Sequence, residues 1–94
     1  MDEILGRRVV AAEQLLVQSV GGEAVLLDLE TETYFGLNAA GARIFALVTT
    51  APTIADALAA LADEFDADPA VLRDDAVGLV RTLVERRLVR LVDA

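Results

Sequence analysis

The sequence predicts an α+β fold, a three-stranded antiparallel meander followed by three helices. Apolar residues recur with a period of two before Asn38 and with a period near 3.6 after it. Two turn signals, Gly21-Gly22 and Glu30-Thr31-Glu32, divide the first part into short strands. Three helix-start signals, at Asn38, Thr53 and Asp68, divide the second.

Residues 1–12 carry little pattern and read as a flexible N-terminal arm, leaving 13–94 as a single domain. Leu15 to Val20 suits a first strand. Gly21-Gly22 then supplies two residues free to take positive φ, as a two-residue hairpin turn requires. Ala24 to Leu29 forms the second strand, with Val25, Leu27 and Leu29 on one face and Asp28 on the other. Thr33 to Leu37 forms the third. Its neighbours Tyr34 and Phe35 must point to opposite faces, and alternation with Leu37 assigns Phe35 to the core.

Asn38 caps a helix running to about Thr49, with Ala40, Ile44, Leu47 and Val48 as its buried stripe. Thr53 with Asp56 resembles a capping box with the shorter acid, and Ile54, Leu58, Leu61 and Phe65 follow at helical spacing. Asp68-Pro69 is an N-cap acid followed by Pro at the first helical position, opening a helix to about Arg86. Leu88 to Val92 reads as a short terminal strand or an extended tail. Along the third helix, apolar side chains from Leu79 round to Val77 span roughly 160°, more than one core face needs. Other elements must cover the surplus, or a partner does.

Composition narrows function by exclusion. At 94 residues, 55% of them hydrophobic, the chain is one small globular domain. With no Cys and no His it has neither thiolate nor imidazole, so zinc chemistry and nucleophile–histidine hydrolysis are ruled out. A net charge of −8 disfavours nucleic acid and anionic membrane. Arg81, Arg86, Arg87 and Arg90 interleave with Asp74, Asp75 and Glu85 as a mixed solvated face. The carboxylate pairs Asp74-Asp75 and Asp66-Asp68 read as caps and surface, so no enzyme activity and no cofactor are expected. No apolar run approaches the roughly 20 residues of a membrane span, and the acidic N-terminus is unlike a signal peptide. A cytosolic protein is expected.

Val25-Leu26-Leu27-Asp28, Tyr34-Phe35-Gly36-Leu37-Asn38, Ala42-Arg43-Ile44-Phe45, Asp75 with Leu79 and Leu83, and a closing Leu88-Val89 stand in a recognisable order. Over residues 15–92 the chain resembles the PqqD-like family, the RiPP recognition elements of ribosomally synthesised peptide pathways. It is most similar to the freestanding leader-binding proteins of lasso-peptide biosynthesis. One departure is Arg87, where many relatives have Gly before the closing Leu.

The resemblance implies a winged helix-turn-helix fold and a non-catalytic role: binding a precursor's leader peptide by strand addition and presenting it to a separate leader peptidase. It places leader contact at Glu32, Thr33, Tyr34, Phe35 and Gly36 on the third strand, and at Leu72, Asp75, Ala76, Leu79 and Leu83 on the third helix. A homodimer in the absence of peptide is compatible with it. A PqqD-type chaperone for a radical enzyme is the alternative within the family, and a winged-helix DNA-binding regulator the alternative outside it.

Overall fold

Nine short elements make up the computed structural model, which describes residues 3–94. A single 3₁₀ turn, Glu3–Gly6, leads into β1 (Arg7–Ala11), β2 (Leu15–Val20), β3 (Glu23–Asp28) and β4 (Thr33–Leu37). Helices α1 (Ala39–Thr50), α2 (Ile54–Glu64) and α3 (Pro69–Glu85) follow, and β5 (Val89–Asp93) ends the order. Strands β2, β3 and β4 form the expected antiparallel meander, while β1 and β5 form a separate antiparallel pair.

That pair corrects the expectation of a loose arm from Glu3 onward; residues 1 and 2 lie outside the described residues. Val9 is buried opposite Leu91, and Ile4 is buried in the same core. The Arg7 guanidinium donates to the carbonyls of Val92 and Leu91, both at 3.2 Å. Arg-Arg-Val-Val-Ala lacks alternation, and its pairing partner lies at the far end of the sequence, so no local pattern announces the strand.

The hairpin turns are where expected. Gly21 and Gly22 have φ of 57° and 86°, joining paired Val20 and Glu23 across two residues. On β3 the inner face is the one that includes Asp28. Ala24, Leu26 and Asp28 are buried, Val25 and Leu27 are half-buried, and Leu29 is exposed. Asp28 tolerates this position because its Oδ1 accepts from the backbone N–H groups of Glu30 (3.0 Å) and Thr31 (3.3 Å), which replace solvent and fold the second turn. Phe35 pairs with Leu26, and Leu37 is buried next along the same face, as alternation required.

All three helix caps form. Asn38 Oδ1 accepts from Gly41 N–H at 2.8 Å, Thr53 Oγ1 from Asp56 N–H at 3.1 Å, and Asp68 Oδ1 from Ala70 N–H at 2.8 Å. The Asp56 carboxylate bonds the Thr53 hydroxyl (2.8 Å), the shorter side chain meeting Oγ1 at the head of the helix. In α1 the buried residues are Ile44, Phe45 and Val48; Leu47 is half-buried and Ala40 is exposed. In α2 they are Ile54, Ala57 and Leu61, with Leu58 and Phe65 half-covered. The core therefore sits between the inner face of the meander, the three helices and the β1–β5 pair.

Candidate functional site

Strand β4 is the last in the order β2-β3-β4, and no described strand pairs with its outer side. Alternate residues of such an edge direct backbone N–H and C=O groups away from the sheet, ready for another strand. Helix α3 flanks this edge, and two open pockets meeting at Phe35 run between them. One, of about 320 Å³, is lined by Phe35, Gly36, Leu37, Asn38, Ala40, Gly41, Ile44, Asp75 and Leu79. The other, of about 280 Å³, is lined by Asp28, Thr31, Thr33, Tyr34, Phe35, Arg86 and Leu88. Strand and helix run in opposite directions along the groove, so Gly36 lies near Asp75 and Thr33 near Arg86.

The end of α3 fixes one pole. Arg87 N–H donates to the Val84 carbonyl (3.0 Å) and Leu88 N–H to the Leu83 carbonyl (2.9 Å), a Schellman arrangement with Arg87 at φ 60°. The cap thus keeps the shape that a Gly would give, at the steric cost of a side chain in the left-handed region. It leaves Arg86 with its guanidinium carbon 5.0 Å from the Phe35 ring centroid, a cation–π contact that also roofs the groove. At the other pole stand the exposed Asp75 and the capped start of α1. An extended segment in this groove would meet a carboxylate at one end, a guanidinium at the other, and Phe35, Leu79 and Ile44 between.

The sequence-derived site is brought together in part. Thr33, Tyr34, Phe35, Gly36, Asp75 and Leu79 line the groove. Leu72, Ala76 and Leu83 do not; Ala76 and Leu83 are fully buried and Leu72 nearly so, its edge facing the α2–α3 crevice. Most of the surplus apolar arc of α3 is spent on the core, where α1, α2 and β5 pack against it. Glu32 is a turn residue at φ 58° and lines neither pocket.

Arg86, Leu88, the N-cap Asn38 and Ala40, Gly41 and Ile44 of α1 also line the groove and were not among the sequence-derived residues. A signal for Arg86 exists: Asp75, Leu79, Thr82 and Arg86 recur at i, i+4, i+7 and i+11, one face of a helix. Among the described residues no group of three or more His, Cys, Asp or Glu side chains is placed to hold a metal ion.

An open strand edge, a facing helix and a channel with charged poles are the features of a peptide-binding domain that takes an extended segment. The family model for PqqD, coenzyme PQQ synthesis protein D, matches residues 23–89, and the chain belongs to that family. No curated protein matches it significantly. Among solved structures, TbiB1 in complex with the TbiA(β) leader peptide is similar, with 28% identity and a TM-score of 0.79 over 86% of this chain and 94% of that one. Lasso peptide synthetase B1 complexed with the leader peptide shares the fold, with 23% identity and a TM-score of 0.79 over 88% of this chain and 98% of the other.

Proposed function

We propose that the chain is a non-catalytic recognition element that binds the leader peptide of a ribosomally synthesised precursor, of the lasso-peptide class, and presents it to a separate leader peptidase in the cytosol. The observation that carries this reading is the free edge of β4 facing Asp75 and Leu79 of α3 and its C-cap Arg86 across a groove of mixed apolar and polar lining. The leader adds as a strand: backbone bonds to β4 give affinity, and the side chains along α3 give register. The likeness to TbiB1, whose structure is of a leader-peptide complex, supports leader binding as the role.

Fluorescence anisotropy of a labelled leader against the full chain tests the reading. A dissociation constant of ~10 μM or tighter is expected, equivalent to about −7 kcal/mol. No saturable binding by the leader encoded beside this chain would sink it. The family description favours a second reading, a peptide chaperone in coenzyme PQQ synthesis. Titrating the PQQ precursor peptide in the same assay separates the two, since only the true ligand binds in the tighter range.

A further inference from the structure

The side of the meander that faces away from the helices is open and carries a run of apolar side chains. Leu16, Leu27 and Tyr34 stand in one cross-strand row, since Leu16 pairs with Leu27 and Leu27 with Tyr34. Val25 and Val20 continue the same face toward the Gly21-Gly22 turn, where their cross-strand partners Gln18 and Glu23 add a polar, acidic border. Leu16 is 43% exposed, Val20 63% and Tyr34 75%. Apolar side chains gathered on one sheet face mark a contact surface more often than isolated ones do.

Charge indicates what covers it. Between Arg8 and Arg43 the chain has no basic residue, and Glu13, Glu23, Glu30 and Glu32 are all exposed around the meander. A second copy docking on this face through a twofold axis would set these carboxylates against their own images. A partner with an apolar centre and a Lys/Arg rim meets complementary charge instead. Geometry ties the face to the groove: a strand added beside β4 extends the sheet, and its residue opposite Tyr34 becomes the fourth member of the Leu16–Leu27–Tyr34 row.

We propose that this outer face docks a processing enzyme through an apolar, basic-rimmed patch, and that the bound leader completes the surface the enzyme reads. The inference rests on leader addition at β4 and goes beyond it. It explains how one small domain could hold a peptide and signal its presence: the docking surface is one strand narrower when the groove is empty.

The test uses the full chain with the precursor and leader peptidase encoded beside it, and the variants Leu16→Arg and Val20→Arg. Both side chains are on β2, away from the groove, and Val20 at the hairpin tip serves if Leu16→Arg fails to fold. Leader affinity by anisotropy should stay within about twofold of wild type, while leader-dependent precursor cleavage falls about tenfold or more. A Glu23→Gln/Glu30→Gln double variant should lower the association rate with the peptidase and flatten its salt dependence. Wild-type cleavage by a folded variant that binds leader overturns the proposal. So does a wild-type dimer that Leu16→Arg dissociates without slowing cleavage. A wild-type chain that does not bind leader instead overturns the reading beneath it.

Discussion

The meander has two free edges among the described residues, and the walls they face differ. Strand β4 faces an acid and a leucine of α3 and the arginine that caps it, with Phe35 between two pockets. Strand β2 borders a comparable hollow of about 370 Å³, but its far wall is Ala39, Ala42 and Ala46 of α1 with Phe45 behind them. Its one cation, Arg43, is already bonded to Glu64 at the end of α2, with Nε–O distances of 2.9 and 2.8 Å. An unpaired edge supplies the same backbone groups in either place. What separates a site from a liability is a neighbouring wall whose side chains fix register.

The comparison breaks most sharply at Leu79. Replacing this half-buried side chain by Glu puts an unpaired charge into the apolar part of the groove. Leader affinity should drop by about 30-fold, roughly 2 kcal/mol, with far-UV circular dichroism unchanged. Retained binding would mean that the β4 edge is not the one used.

Arg87→Gly sharpens the distinction between the helix cap and the groove it holds open. Relieving the left-handed strain should raise stability by about 1 kcal/mol, read as a higher urea midpoint, with leader affinity unchanged. A loss of stability would show that Arg87 makes compensating contacts. Removing the roof over Phe35 with Arg86→Ala should weaken leader binding about two- to fivefold, measured by calorimetry.

On the β2 side, effects should be small. Ala39→Glu places an acid in the first turn of α1, where the helix dipole favours it, and leader affinity should stay within about twofold. Hydrogen exchange should show leader-dependent protection in β4 and none in β2; protection of β2 would reverse the assignment of edges. The exposed Arg43–Glu64 pair should matter least. The Arg43 hydrogen bond lowers the Glu64 carboxyl below its ordinary pKa. Its contribution is therefore present above the ordinary carboxylate range and lost as pH falls through the lowered value. Arg43→Ala should cost a small amount of melting temperature near neutral pH, and the difference should vanish in acid.

Much of this fold was legible in the sequence because its signals are local. Gly21-Gly22, Asn38, Thr53 and Asp68-Pro69 each specify backbone geometry within four residues, and each sits where it was expected. What misled was non-local. Strand β1 is defined by a partner at the other end of the chain. Alternation leaves open which face of β3 turns inward, because that face contains an acid whose burial depends on two turn N–H groups. The site suffered for the same reason: how α1, α2 and β5 pack on α3 is not written in its periodicity, so Leu72, Ala76 and Leu83 were placed in the groove although they are buried in the core. Tyr34 and Phe35, fixed by strand alternation alone, were assigned to the correct faces.

The β1–β5 pair also governs when this domain can exist. Every other pairing in the sheets is a hairpin, closed within a few residues of synthesis. β1 must wait for a partner some 85 residues downstream, and closing so long a loop costs about 3 kcal/mol more than closing a short turn. Val9 and Ile4 remain without their final packing until that strand arrives. On the ribosome the meander can form early, but the seam that completes the core closes only after β5 leaves the exit tunnel. The lip of the groove near Arg86, adjacent to β5, is thus among the last parts of the molecule to be set.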